Sequence, residues 1–285
     1  MRVGVQSGYH IHISSKSNGF HLNLREVWRY RDLILLLTRK TFKLTYKQTV
    51  LGPAWIVINP LMYSVAYMLV FGFIAGIGTD GVPQMLFYLL GTAIWGLFSY
   101  SLNSSSSTFF ANAYVFGKVY FPRLTVPLSN LLVGLIKFAI QMILVVALIA
   151  IYTVQGVIHP HWILWLLVPF ILLHLCFLGM GVGIILSSLT TKYRDLQILV
   201  SFGVSLWMYA TPVVYPVSQV GEGVLRNAIM INPVTAPVEL LRYVFTGVGS
   251  VDPVCLATSI AFTIAVAVAG IFMFNHVEKT FIDTV

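Results

Sequence analysis

The sequence predicts an all-α, polytopic membrane protein. It has six transmembrane helices, an N-terminal amphipathic interface helix and short re-entrant helices between spans 5 and 6. Three observations carry this. First, 58% of the 285 residues are hydrophobic and only 9% charged, with a mean hydropathy of +0.87, whereas soluble domains carry about 25% charged residues. A water-exposed fold has no room to hide that much apolar surface, so most of the solvent must be lipid. Second, six stretches reach the roughly 20 residues needed to cross a hydrocarbon core: 54–76, 85–111, 126–152, 161–186, 197–217 and 254–275. Third, the cations between those stretches are sorted to one side. Of seventeen Lys and Arg, residues 1–53 hold nine, 112–125 two, 187–196 two and 276–285 one; Arg226 and Arg242 lie opposite, and Lys137 lies within a span. The positive-inside rule places both termini in the cytoplasm. The net charge of +8 is thereby explained by topology and needs no nucleic-acid partner.

Residues 1–21 contain no continuous apolar core, so they read as a polar cytoplasmic tail and not as a secretory signal. His10, His12 and His21 have no Cys or carboxylate cluster beside them and read as solvated, not as metal ligands. Residues 22–53 form an amphipathic interface segment. On a helical wheel Leu24, Val27, Trp28, Ile34 and Leu35 share one face, opposite Arg25, Glu26, Arg29 and Asp32; Arg31 breaks the pattern. Such a helix suits the membrane interface or a cytoplasmic partner. Phe42, Tyr46 and Val50 continue at intervals of four, with Lys40, Lys43 and Lys47 on another face. Alternation of Phe42, Leu44 and Tyr46 leaves a strand open. Gly52 permits a sharp turn and Pro53 suits the start of a helix. The prediction is an elbow from an in-plane helix into the first span.

Residues 54–275 form the six-span domain and 276–285 a cytoplasmic tail. In span 1, Tyr63, Tyr67 and Phe71 stack at intervals of four, a stripe that suits packing first and binding second. Span 2 carries "SYSLNSSSSTFF" (99–110), six serines with Asn103 and Thr108. Small hydroxylated residues let membrane helices approach closely. Flanked by Trp95, Phe98, Tyr100, Phe109 and Phe110, the same run also suits a polar strip along a sugar pathway. Span 3 holds Lys137 with no Asp or Glu inside any span to neutralise it. It reads first as snorkelling to the cytoplasmic headgroups, and alternatively as a contact to an anionic ligand or lipid phosphate. Span 4 contains Gly179 and Gly183 at the GxxxG spacing of a helix contact; no strand precedes it, so it is not a nucleotide loop. His174 reads as a packed helix residue. Cys176 and Cys255 sit in apolar runs and read as packing.

Residues 218–253 are too long for a plain loop. Two apolar-rich pieces, 223–231 and 237–246, are each too short to span and are separated by "NPVTAP". Glu222/Arg226 and Glu239/Arg242 are spaced to pair within each piece. A re-entrant pair of short helices on the outer side follows, because irregular backbone at membrane depth is tolerated only in protein or along a cavity.

Several activities are excluded. "FGKV" (116–119) lacks the first glycine and the hydroxyl residue of a P-loop. There is no intramembrane carboxylate for proton coupling, and no triad or metal spacing. The chain reads as a non-enzyme that binds no cofactor itself.

The blocks "YRDLILLLTRKTFKLTYKQTVLGPAWIVINPL" (30–61), "GKVYFPRLTVPLSNLL" (117–132), "TTKYRDL" (190–196), "TPVVYPVS" (211–218), "NPVTAPVELLR" (232–242) and "VEKTFIDTV" (277–285) resemble the membrane subunit of type-2 ABC polysaccharide exporters. The similarity runs from about residue 24 to the end and is nearest to O-antigen (lipopolysaccharide) exporter permeases; teichoic-acid and capsule exporter permeases are relatives. The resemblance implies a homodimer in the bacterial cytoplasmic (inner) membrane, with two nucleotide-binding subunits that carry ATP and Mg. It implies export of a glycan on a polyprenyl pyrophosphate lipid, part of lipopolysaccharide biosynthesis. Residues 24–37 and 112–125 would dock on the ATPase, through Arg25, Arg29, Asp32, Tyr114, Lys118 and Arg123. Residues 219–246 would form a periplasmic gate with Glu222, Arg226, Asn232, Pro233, Pro237, Glu239 and Arg242. Tyr63, Tyr67, Trp95, Tyr100, Phe109, Trp207 and Tyr215 would line the channel. Arg39, Lys40, Lys43 and Lys47 sit where a pyrophosphate headgroup would come in, or where anionic membrane lipids are attracted. The competing functions are a related permease for teichoic acid, capsule, drugs or small lipids, and an integral-membrane enzyme on lipid-linked sugars.

Overall fold

The computed structural model describes residues 24–108, 111–112, 121–190 and 195–284, with side chains from 25 to 274. The tail histidines, Phe109, Phe110, Tyr114 and Lys118 lie outside these residues. Among the described residues there are helices and turns and no strand.

The chain opens with α1 (Leu24–Arg29) and α2 (Arg31–Tyr46), separated at Tyr30, whose backbone (φ −92°, ψ 20°) leaves the helical region. Of the expected face, Val27 and Ile34, seven residues apart, turn toward the bundle, while Trp28 and Leu35, each one residue further on, are exposed together with Leu36. Tyr30, Leu33 and Leu37 pack on a small cluster of Phe121, Val126, Ile184 and Phe274. Helix α2 runs along α5 (Thr125–Val154): Thr38 Oγ1 donates to Ser129 O at 3.3 Å, and eight residues further on in each helix Tyr46 meets Lys137. The elbow lies where it was expected. Gln48 and Gly52 both take positive φ (64° and 53°), and Pro53 sits in a 3-10 turn, Gly52–Ala54, that leads into α3 (Trp55–Tyr67). Helix α3 continues as a π-helical stretch, Met68–Ile74.

Helices α4 (Gln84–Ser106) and α6 (Val168–Thr190) form the centre. Side chains from Leu86 to Leu102 fill the core. Glycines allow the close approach. A Cβ on Gly179 would stand 2.8 Å from Phe98 O, and one on Gly183 2.7 Å from Ser105 Cβ. On the opposite face of α6, a Cβ on Gly181 would stand 2.9 Å from Val266 of α10 (Pro253–Thr284). The GxxxG pair is thus a helix contact, and its counterpart is the serine run: Ser101 and Ser105 are buried against α6.

Five helical segments are long and apolar enough to cross a membrane: Gly52–Ile74, Gln84–Ser106, Thr125–Val154, Trp162–Thr190 and Pro253–Phe274. The expected fifth span, 197–217, departs from prediction. It is helical only as α7 (Leu196–Tyr209), 14 residues or about 21 Å at 1.5 Å per residue, short of a core about 30 Å thick. The cause is Pro212, which lacks an N–H and disfavours helix in the residue before it. The chain runs on without helix through Thr211–Val214, all buried in protein, which is the condition for irregular backbone at this depth. Two short helices follow, α8 (Val224–Ile231) and α9 (Thr235–Thr246). They sit at the end of the bundle opposite α2, called here the distal end; the end carrying α2 is the basic end.

Candidate functional site

The aromatic stripe of α3 borders a groove of about 440 Å³ between α3, α4, α5 and α7, lined among others by Trp55, Tyr63, Tyr67, Trp95 and Tyr209. Helical spacing stacks Tyr63 on Tyr67 with ring centroids 6.3 Å apart, and Tyr67 on Phe71 at 5.9 Å. Phe71 in turn lies 6.4 Å from Tyr209 at the end of α7. Tyr209 also borders a second cavity of about 860 Å³ at the distal end, with Trp207, Tyr215 and Asn232. One aromatic surface therefore passes from the elbow to the distal end. The stripe serves both readings at once. Tyr67 is partly packed, its hydroxyl 3.7 Å from Met208 Sδ, while Tyr63 is 60% exposed.

Lys137 lies in the groove. Its Nζ stands 3.9 Å from the centroid of the Tyr100 ring and 5.9 Å from that of Tyr46. Among the described residues no carboxylate pairs with it and no protein atom accepts a hydrogen bond from it. Gln141, one helical turn on, donates to Ile56 O at 3.2 Å. The Tyr46 phenol is a protonated donor at neutral pH by its ordinary pKa of about 10, and burial pushes it further up.

The distal end is built around two polar residues. Asn232, between α8 and α9, accepts from Trp207 Nε1 (3.1 Å) and donates to Ala210 O (3.0 Å) and Thr211 Oγ1 (2.9 Å). It thus satisfies the end of α7 that Pro212 leaves frayed. Arg242 is buried. It pairs with Glu239, donates to Pro212 O at 2.6 Å and lies 4.1 Å from the centroid of Phe87. Glu239 also accepts from Ser250 N at 3.1 Å. Burial pulls the Arg242 guanidinium down from its ordinary value, and the carboxylates of Glu239 and Asp80 oppose that pull. Pro233 O accepts from Ser259 at 2.5 Å and Pro237 is buried within α9. Glu222 and Arg226 pair at 3.9 Å on the surface.

Of the channel candidates, Tyr63, Tyr67 and Trp95 border the groove, Tyr100 meets its lysine, and Trp207 and Tyr215 border the distal cavity. Phe109 lies outside the described residues. The serine run contributes only Ser99 to the groove; the buried Ser101 and Ser105 face α6. Arg39, Lys40, Lys43 and Lys47 are exposed, and none borders either cavity. Arg25, Arg29 and Asp32 are exposed on α1 and α2, whereas Arg123 is buried. His174 is a packed residue, 2.9 Å from Thr263 Oγ1. Tyr209, Asn59, Gln141 and Thr92 border the groove without having been singled out in the sequence. Tyr209 carried a usable signal, an aromatic residue just before a Thr-Pro break.

Known proteins resemble this chain over most of its length. An O-antigen export system permease protein RfbA of Klebsiella pneumoniae is 28% identical over 253 residues, 88% of this chain and 94% of the relative. A protein of the same name from Myxococcus xanthus is 28% identical over 227 residues, 78% and 83% of the two chains. The family model described as "ABC-2 type transporter" matches residues 32–246, a region that takes in α2, the elbow, the aromatic groove and both distal helices. With five membrane-length helices around that region, this multi-pass membrane protein belongs to the ABC-2 type transporter family.

Proposed function

We propose that the chain is the membrane subunit of an ATP-driven exporter that moves polyprenyl-pyrophosphate-linked O-antigen polysaccharide, or a similar cell-surface glycan, from cytoplasm to periplasm. The observation that carries this reading is the aromatic surface running from Trp55 through Tyr63, Tyr67 and Tyr209 to Trp207 and Tyr215. A long polymer needs exchangeable contacts, not an enclosing pocket, and ring faces offer the next sugar the same contact as the last. The names of the relatives support the same substrate class.

In this reading two copies of the chain stand on two copies of a separate ATPase, which holds ATP and Mg. Both termini are cytoplasmic and the membrane is the bacterial inner membrane. Helices α1 and α2, with Arg25, Arg29 and Asp32 exposed, and the 112–125 loop receive the ATPase. Because Tyr30, Leu33 and Leu37 are packed on residues of α5, α6 and α10, a push on α2 reaches three spans as one body. Arg39, Lys40, Lys43 and Lys47 draw anionic lipid to the basic end, and the distal helices close the periplasmic side.

The test is genetic and biochemical together. Loss of the gene should abolish long surface glycan and leave lipid-linked glycan inside the cell. The wild-type chain with its ATPase should restore export, and an ATPase unable to hydrolyse ATP should not. Turnover of a lipid-linked sugar by the purified chain alone would make it an enzyme and sink the proposal. Unchanged surface glycan with altered drug or small-lipid efflux would sink the glycan assignment.

A further inference from the structure

The groove beside Lys137 holds a charge that no described residue answers. The ammonium is half-buried, and among the described residues it is the only formally charged group bordering the groove. Tyr100 covers one side by a cation–π contact at 3.9 Å, which leaves the N–H groups without an acceptor. An ionised side chain at membrane depth is costly unless paired, and one retained there marks a ligand position. Its surroundings offer donors. Gln141 Nε2 commits one N–H to Ile56 O and keeps another, and the phenols of Tyr46 and Tyr63 donate to no described atom. A cation that shares its groove with spare donors fits an oxyanion. The groove wall beside it is aromatic, with Trp55 and Tyr63 exposed, which fits hydrocarbon next to that oxyanion.

We propose that Lys137 seats the phosphate headgroup of a membrane amphiphile, with Gln141 and the Tyr46 phenol as further donors and with Trp55 and Tyr63 against its apolar part. For a lipid-linked glycan as the occupant, the inference rests on the export reading above. It moves the headgroup contact away from Arg39, Lys40, Lys43 and Lys47. Those four are exposed, where water and salt screen each charge, whereas the same charge in the half-buried groove interacts at lower effective dielectric.

The experiment uses the full-length chain in nanodiscs of zwitterionic lipid. Two probes are titrated, a short isoprenyl diphosphate and phosphatidylglycerol, with dissociation constant and melting temperature as readouts. A ligand that binds only the folded state raises the melting temperature. At least one probe is expected to stabilise the wild type. For that probe K137Q should weaken binding by about tenfold or more and abolish the stabilisation, yet melt no lower than wild type without ligand. K137R should stay within about threefold of wild type, as should the quadruple Gln variant of Arg39, Lys40, Lys43 and Lys47. The probe whose binding needs Lys137 identifies the source of the phosphate. Equal binding to wild type and K137Q overturns the proposal, as does a lower melting temperature of ligand-free K137Q, which would make Lys137 a structural cation. Surface glycan is measured in parallel. Lys137-dependent binding in a chain whose loss leaves glycan export intact overturns the export reading and keeps the site. Restored export by K137Q with unchanged binding overturns the site and keeps the export reading.

Discussion

The two distal helices are neighbours in sequence, separated only by Asn232–Val234, and they have opposite fates. Each carries an acid–base pair at helical spacing. Around α8, Glu222 and Arg226 meet at 3.9 Å with the glutamate 95% exposed, and Ile229 is the helix's one buried residue. In α9, Glu239 and Arg242 are both under 5% exposed, and ten of twelve residues are buried. The pairs are chemically the same and physically unlike. A wet pair gains little from its Coulomb attraction and loses side-chain entropy. A dry pair must be fully hydrogen-bonded to repay desolvation, and breaking it strands a charge. Arg242 and Glu239 meet that condition through Pro212 O and Ser250 N. So α9 is a fastener that ties the unwound end of α7 to α4, and α8 is the loosely held piece. Of the two helices, α8 is therefore the freer to move, and it is preceded by Gly221 and Gly223 with open space around both.

The sharpest way to break this contrast is R242A, which leaves Glu239 buried and unpaired. It should cost about 3–5 kcal/mol, read as a large fall in melting temperature or loss of monodisperse protein. The double variant R242M/E239L should recover most of that loss, since apolar replacement of a buried pair is often neutral. Next is N232A, which unseats Trp207 Nε1 and the carbonyl of Ala210; about 1–3 kcal/mol is expected in the same measurement. Comparable in size is G247A. Gly247 closes α9 at φ 78°, and its N–H bonds Tyr243 O at 2.9 Å. A side chain there is strained in backbone and meets His159 O, so a loss above about 1 kcal/mol is expected. The smallest effect belongs to R226A, below about 1 kcal/mol and shrinking as salt rises. Hydrogen exchange tests the contrast without mutation, with α8 amides expected to exchange well before those of α9. Equal protection of the two helices would erase the distinction.

Much of this was legible from residues alone. The elbow was, because Gly52 and Pro53 restrict the backbone locally. The Glu239–Arg242 pairing was, because three residues on a helix place side chains on one face. The Gly179/Gly183 contact was readable from spacing. Other features were not. The wheel over 24–36 grouped Val27, Trp28, Ile34 and Leu35, but which edge of that face meets the bundle depends on the helices packed against it, and a wheel does not contain them. The fifth span ran too long because an apolar count over 197–217 is blind to Pro212 and to the protein that buries Thr211–Val214. Lys137 stayed ambiguous in the chain because its meaning depends on Tyr100, Tyr46 and Gln141, which only packing brings beside it.

By itself the sequence determined that this chain suits lipid and where its helices turn, and it set the expectation for which side its cations face. Those outcomes are sums of short-range terms: transfer energy per residue, charge per loop, backbone freedom per glycine or proline. Tertiary structure decided which of two similar ion pairs would be dry, which aromatic residues would share a groove, and that an unpaired lysine would face it. Desolvation and pairing depend on what surrounds a group, and distant segments set those surroundings only when they pack.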